Sequence, residues 1–347
     1  MILVTGGAGF IGANFVQQWL AGGEQAGVEP VLVIDKLTYA GNLANLAAVQ
    51  GSPALVFERL DICDTQAVHA LLVAHRPRAV LHLAAESHVD RSIAGPAEFV
   101  RTNVTGTFCL LEAARVYWAV LPAAERDAFR FVQVSTDEVY GSLPPSAPAF
   151  TEDSPYAPNN PYAASKAGAD HLVRAFHQTY GLPSIITHCG NNYGPFQYPE
   201  KLIPRMIRRA LDGDAMPVFG DGRHVRDWIH VSDHCAGLQA VLARGSPGAV
   251  YNIAARTALP NIDVVRAVCE LLDELRPRPG ASYKQQIAFV ADRPGHDRRY
   301  ELDPGRTEAT LGWRAAMPFA EGLRRTVEWY LRNPEWIAEV HRRSCQP

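Results

Sequence analysis

The sequence predicts an α/β fold, a doubly wound parallel sheet with a smaller C-terminal lobe. Three observations predict it. Apolar runs alternate with helical patterns through the first half of the chain. Several runs are apolar almost throughout, as strands covered on both faces must be. A glycine-rich turn joins the first run to the first helical stretch.

Strands are expected over residues 2–5, 31–34, 54–58, 79–84, 131–135 and 184–188. Helices are expected near 11–21, 65–75, 97–119 and 161–180. Past about residue 189 the texture changes. Asn191-Asn192-Tyr193-Gly194-Pro195 and residues 276–280 are rich in turn formers. This division assigns residues 1–189 and 228–253 to the first domain, 190–227 and 254–330 to the lobe, and 331–347 to a C-terminal tail. The active site is expected between the two, at the carboxyl edge of the sheet.

Composition bounds the rest. The 347 residues suffice for about two domains. With 47% apolar and 20% charged residues the chain is globular rather than disordered. A net charge of −3, from 33 basic and 36 acidic residues, gives no bias toward nucleic acid or an acidic membrane surface. No apolar run approaches the ~18 residues of a membrane span. Met1-Ile2-Leu3-Val4-Thr5-Gly6 lacks a basic start and reads as a first strand, not a signal peptide. Among Cys63, Cys109, Cys189, Cys235, Cys269 and Cys345 no two are three apart, so reduced thiols in a cytoplasmic protein are expected. Of the 33 basic residues only four are lysines: Lys36, Lys166, Lys201 and Lys284.

Gly6-Gly7-Ala8-Gly9-Phe10-Ile11-Gly12 follows the first strand and opens a helix. Glycines there permit a tight turn and close approach of a diphosphate to the helix N-terminus, the Rossmann dinucleotide arrangement. Asp35 ends the second strand, where a carboxylate accepts from a ribose 2′-hydroxyl and repels a 2′-phosphate, favouring NAD over NADP. Asp61-Ile62 and Leu83-Ala84-Ala85-Glu86-Ser87 lie at the same edge, and small Ala84 and Ala85 leave room for the dinucleotide.

Tyr162 and Lys166 are four apart in a helical pattern and share a face. A surface pair is the plain reading. In a chain that uses arginine almost everywhere else, a lysine there points to a need for a compact ammonium. Such an ammonium lowers the pKa of a tyrosine, normally near 10, and makes it a usable base. Ser135-Thr136-Asp137-Glu138 ends the fifth strand. It fits a capping box, or a pair of carboxylates dividing acid and base roles. Asp292-Arg293-Pro294-Gly295-His296-Asp297-Arg298-Arg299 is a solvated loop or a phosphate-gripping one. His230 and His234 have metal-like spacing without an H-E-x-x-H pattern. No metal is expected, and Asp233 is expected to cap a helix beginning near His234.

Over roughly residues 2–330 these features resemble the extended short-chain dehydrogenase/reductase family, and within it the 4,6-dehydratases that act on dTDP-glucose. Residues 5–12 and Tyr162…Lys166 carry the general resemblance. The narrower one rests on residues 35–42, 87–92, 135–141, 189–195, 199–204 and 292–299.

The resemblance implies that Tyr162 takes the proton of the sugar C4 hydroxyl while hydride leaves C4 for NAD, with Lys166 as its partner. Thr136 would bond the C4 oxygen, Glu138 would remove the C5 proton, and Asp137 would protonate the departing C6 hydroxyl. Hydride then returns to C6, giving dTDP-4-keto-6-deoxyglucose for deoxysugar biosynthesis such as that of rhamnose. Toward NAD it implies Gly6, Gly9, Phe10, Ile11, Gly12, Asp35, Lys36, Leu37, Thr38, Asp61 and Ile62. It adds Leu83, Ala84, Ala85, Ser87, Thr102, Tyr162, Lys166 and Asn192. Toward the nucleotide sugar it implies Ser87, Thr136, Asn191, Lys201, Leu202, Pro217, Phe219, Arg226, Asn261, Asp292, Arg293 and His296.

Phe219 stands where the resemblance leads one to expect Tyr, which removes a hydroxyl from the substrate site. The resemblance also implies a homodimer joined by a four-helix bundle of the 97–119 and 161–180 helices. The rival activities are another nucleotide-sugar 4,6-dehydratase and a 4-epimerase. The epimerase needs Tyr162 and Lys166 but not adjacent Asp137 and Glu138.

Overall fold

The computed structural model describes residues 1–22 and 29–344. Cys345 lies outside them. The strands, in chain order, are β1 (Ile2–Thr5), β2 (Val31–Asp35), β3 (Leu55–Arg59), β4 (Ala79–His82), β5 (Arg130–Thr136) and β6 (Ser184–Cys189). They continue with β7 (Asn191–Tyr193), β8 (Met216–Phe219), β9 (Val225–His230), β10 (Val250–Ile253), β11 (Ala258–Pro260) and β12 (Ile287–Val290).

Seven of them form one parallel sheet in the order β10-β6-β5-β4-β1-β2-β3. The order reverses between β1 and β4, and a crevice opens there at the carboxyl ends of the strands. The strands of this sheet are apolar because both faces are covered. Ile2, Leu3, Val4, Val31, Leu32 and Val33 are fully buried. They divide alternately between two apolar cores, one on each face of the sheet. Each such side chain contributes about 1.5–3 kcal/mol by leaving water.

The remaining strands build smaller sheets, β11-β9-β7 and β12-β8. A third core around Tyr193, Met206, Trp228, Val265 and Tyr330 holds them to the helices Leu202–Asp212, Asn261–Leu275 and Phe319–Arg332. The last described segment is a helix, Pro334–Ser344, and Trp336 Nε1 donates to Asn45 Oδ1 at 2.8 Å.

Three details differ from the sequence expectation. The strand expected over 79–84 stops at His82, and residues 83–88 cross the carboxyl edge as a loop. Leu83 N–H still reaches the Thr5 carbonyl at 3.2 Å, but the next N–H, of Ala84, turns to the Thr5 hydroxyl oxygen at 3.1 Å, and the ladder ends. The single helix expected over 97–119 begins as Pro96–Phe99, widens to a π-helix over Val100–Gly106, and resumes as Thr107–Ala119. Asp233 does not cap its helix, which starts at Val231 with His230 Nδ1 accepting from Ser232 N. Asp233 Oδ2 instead accepts from the N–H groups of Ala316 and Met317.

Candidate active site

The glycine turn is shaped for close approach. Gly6 has φ +69°, and a Cβ there would lie 2.7 Å from Ala84 N. A Cβ on Gly12 would lie 2.3 Å from the Gly6 carbonyl oxygen. The helix Phe10–Ala21 has no side-chain cap at Gly9, so its first-turn N–H groups remain available to an anion. Asp35 closes the far side. Its carboxylate accepts from Ala8 N at 3.0 Å and Leu37 N at 2.8 Å. Burial pushes its carboxyl pKa up and these two donors pull it back.

A cleft of about 300 Å³ runs from this turn across the carboxyl edge. Of the residues expected at the cofactor, Gly6, Gly9, Phe10, Ile11, Gly12, Asp35, Lys36, Thr38, Asp61 and Ile62 line it. So do Leu83, Ala84, Ala85, Ser87, Thr102, Tyr162, Lys166 and Asn192. Leu37 does not, because its side chain packs against the core beneath the sheet. Lys36 Nζ and Asp61 Oδ2 pair at 2.8 Å. The uncapped helix end, the glycines without room for a Cβ and the carboxylate opposite fit a dinucleotide.

Thr136, Asp137 and Glu138 stand in the middle of the same cleft, beside Tyr162 and Lys166. The turn Asp137–Tyr140 is 3-10 helix, capped by Thr136 Oγ1 accepting from Glu138 N. Ser135 takes no part in that cap; its hydroxyl donates to Asp170 Oδ2 at 2.6 Å. The two neighbouring carboxylates therefore have different surroundings. Asp137 is buried, accepts from Thr136 Oγ1 at 3.2 Å, and has no protein hydrogen-bond partner at Oδ2. Burial, and then the charge of Glu138, push its pKa well above the usual carboxylate range. These surroundings favour the proton-bearing form of Asp137. Glu138 is half-buried and accepts from Asn160 Nδ2 at 3.1 Å.

The helix Pro161–Tyr180 is started by Pro161 and by Asn160 Oδ1, which accepts from Ala163 N. Lys166 Nζ donates to the Val134 carbonyl at 2.8 Å. The expected lowering of the Tyr162 pKa is not found. Burial, and then Glu138, push the Tyr162 hydroxyl well above its usual value, with a Thr136 hydrogen bond pulling the other way.

A second cavity of about 150 Å³ adjoins the first, and Glu138, Asn191 and Lys201 line both. Leu202, Pro217, Phe219, Arg226, Asn261, Arg293 and His296 line it as expected. Asp292 does not. It stands behind, accepting from His296 Nδ1 at 2.6 Å with His224 Nε2 at 3.2 Å. The two imidazoles stack at 3.6 Å between centroids. Together with Asp292 they form the one cluster of metal-type ligand spacing among the described residues. Burial, then the Arg293 charge, push His296 down to about 4, so it is neutral at pH 7. Arg226 is buried with its guanidinium over the Tyr300 ring, 4.3 Å from the centroid.

Several lining residues had no signal of their own, and Tyr198, Arg205 and Tyr300 stand outside every motif named above. Glu86, Tyr198 and Glu200 line the first cleft. Asp90, Arg205 and Tyr300 line the second. Tyr39 OH donates to Glu200 Oε1 at 3.0 Å, and Lys201 Nζ donates to the Ser87 carbonyl at 2.6 Å. These contacts join residues more than 100 positions apart, which no local spacing announces.

A family model described as GDP-mannose 4,6 dehydratase matches residues 3–326. A dTDP-glucose 4,6-dehydratase of Xanthomonas campestris pv. campestris (strain B100) is 55% identical over 339 residues, 97% of this chain and 95% of that protein. The chain belongs to this family and, within it, to the dTDP-glucose 4,6-dehydratases. Identity to dTDP-glucose 4,6-dehydratase 1 of Escherichia coli (strain K12) is 52% over 347 residues, covering 98% of this chain and 95% of the other. The crystal structure of the Streptomyces venezuelae dTDP-glucose 4,6-dehydratase DesIV, with NAD and TYD bound, is 48% identical with a TM-score of 0.89. It covers 98% of this chain and 99% of that one.

Proposed function

We propose that this chain converts dTDP-glucose to dTDP-4-keto-6-deoxyglucose with NAD as a recycled cofactor. The observation that carries the reading is the adjacency of a buried Asp137, whose pKa burial pushes up, and a half-buried Glu138 in the cleft shared by Tyr162 and Lys166. Oxidation at C4 needs only one base. Loss of water across C5 and C6 needs a second base and an acid.

When bound, NAD takes hydride from C4 and returns it to C6. The chain's residues do the rest. Tyr162 receives the C4 hydroxyl proton in its phenolate form, with Thr136 at the same oxygen and the Lys166 cation nearby to offset part of the cost of that phenolate. The C4 ketone acidifies the C5 proton, and Glu138 removes it. Asp137 gives its proton to the C6 oxygen, which leaves as water. Arg226, Arg293, Asn261 and Lys201 hold the nucleotide diphosphate, and Phe219 closes the base end without a hydroxyl. His296, neutral and fixed through Nδ1 by Asp292, presents its other nitrogen to the same cavity.

The assay is turnover with dTDP-glucose followed by the alkaline absorbance of the 4-keto sugar. The expected result is keto sugar without net NADH. A 4-epimer as sole product would support the rival reading.

The reading includes a homodimer in the cytoplasm, built through a four-helix bundle. In support of the dimer, Val100, Phe108, Val116 and Val120 are exposed on and beside the helix Thr107–Ala119, and Tyr180 is exposed on the helix Pro161–Tyr180. It also divides the chain into a dinucleotide part, residues 1–189 and 228–253, and a nucleotide-sugar part, 190–227 and 254–330. The separate apolar core of the later residues supports that division. Among the described residues no helix is long and apolar enough to cross a membrane.

A further inference from the structure

Three loops from distant parts of the chain meet at the first cleft. One follows β2, where Gly41 N donates to the Thr38 carbonyl at 3.1 Å, so Tyr39 stands at the tip of a tight turn. Its neighbours Thr38, Ala40 and Gly41 line the cleft. Another follows β4 and runs into the short helix Val89–Ala94. The last precedes the helix Leu202–Asp212, and its Tyr198 and Glu200 line the same cleft.

Side chains tie these loops together. Tyr39 OH donates to Glu200 Oε1 at 3.0 Å, between residues 161 positions apart. The Arg91 guanidinium covers the Tyr39 ring, 3.7 Å from its centroid. Tyr198 meets that ring edge-on, with centroids 5.3 Å apart. The second Glu200 oxygen lies 3.8 Å from His88 Nε2. The Glu200 side chain is 17% exposed, so little water competes for its hydrogen bond. Burial pushes the Tyr39 hydroxyl above its usual value, so it remains a donor at neutral pH. The chemistry assigned above uses none of Tyr39, Arg91 and Glu200. Yet a cofactor restored at every turnover has no need to leave, whereas the sugar must leave each time.

We propose that the Tyr39–Glu200 hydrogen bond is a clasp that closes the cleft over NAD and limits the rate at which NAD exchanges. This rests on the cofactor reading of the cleft given above. A bond between two protein groups governs opening in both directions. Its loss speeds entry and exit alike and leaves affinity little changed, unlike the loss of a residue that touches NAD.

The test is exchange of labelled NAD from the full-length holoenzyme into excess unlabelled NAD, with Kd measured separately. The association rate follows from the two. Tyr39→Phe keeps the ring beneath Arg91 and beside Tyr198 and removes the hydroxyl alone. Exchange is expected to quicken by roughly 10- to 100-fold. Kd and the turnover of dTDP-glucose at saturating NAD are expected to stay near wild type. Glu200→Ala should quicken exchange by a similar factor. The double variant should exchange no faster than either single one, because all three lose one and the same bond. Glu200→Gln keeps an acceptor oxygen and is expected to restore slow exchange.

Unchanged exchange in Tyr39→Phe overturns the proposal. So do single effects that multiply in the double variant, since the two residues would then act separately. A weakened Kd with an unchanged association rate also overturns it, because Tyr39 would then act on bound NAD and not on opening. If Glu200→Ala does not fold, Tyr39→Phe decides alone. A wild-type enzyme that binds no NAD would fail the reading of the cleft itself, and the clasp with it.

Discussion

Asp137 and Glu138 are chemically similar neighbours that the fold makes unlike. Burial without a partner at Oδ2 favours the proton-bearing form of Asp137, while Glu138 meets Asn160 at the cleft wall. Asp137→Asn is expected to leave C4 oxidation intact and to slow loss of water by about 10²- to 10⁴-fold. Rapid-quench product analysis should then find a ketosugar that still carries its C6 hydroxyl. If the variant dehydrates at the wild-type rate, Asp137 is not the acid. The acid form exists below the raised pKa of Asp137 and disappears as pH rises through it, so wild-type dehydration falls on the alkaline side. Glu138→Gln should reduce washout of the C5 proton by a similar factor, read by exchange in deuterated water. Tyr162→Phe should abolish formation of bound NADH in a single turnover. Tyr162, Lys166, Asp137 and Glu138 were legible in the sequence because their spacing is local. Asp170, Glu86 and Glu200 were not, because their partners Ser135, Asn103 and Tyr39 arrive from other parts of the chain.

At the scale of elements, the π-helical turn is the feature that periodicity hid. Apolar spacing across residues 97–119 reads as one helix, since the wider turn changes register without breaking the chain. The wider turn carries Thr102 into the wall of the cleft and Asn103 against the loop after β4. The Asn103 amide accepts from Glu86 N at 2.9 Å and donates to the Glu86 carbonyl at 2.9 Å and to Ser165 Oγ at 2.9 Å. Asn103→Ala leaves a buried N–H and a carbonyl unpaired, at a cost of about 1–3 kcal/mol each in the folded state. Chemical denaturation should report a loss in that range, and NAD should bind more weakly because Glu86 borders its cleft. Unchanged NAD affinity would separate this loop from the cofactor site. The strand end at His82 was missed for a related reason. Leu83 and Ala84 are apolar and read as strand, but the Ala84 N–H turns to the Thr5 hydroxyl oxygen.

For the whole molecule, the parallel sheet and its cleft followed from alternation and the glycine turn, and the seven-strand order realises both. The small sheets were less legible, since β7, β8, β11 and β12 have three or four residues each, too few to show a period. Exposed Val100, Phe108, Val116, Val120 and Tyr180 supply an apolar face suited to an isologous contact. Sedimentation at micromolar concentration is expected to give twice the 38.0 kDa chain mass, and Phe108→Glu to shift it toward that of one chain. A wild-type monomer would contradict the bundle.

The central claim is that one cleft oxidises C4, removes water and reduces C6 without net use of cofactor. Its most direct test is turnover of dTDP-glucose bearing deuterium at C4, with the product examined by NMR and mass spectrometry. The account predicts deuterium at C6 of the 4-keto-6-deoxy sugar, with no free NADH accumulating. Deuterium retained at C4 of an epimer, or accumulated in free reduced cofactor, would contradict it.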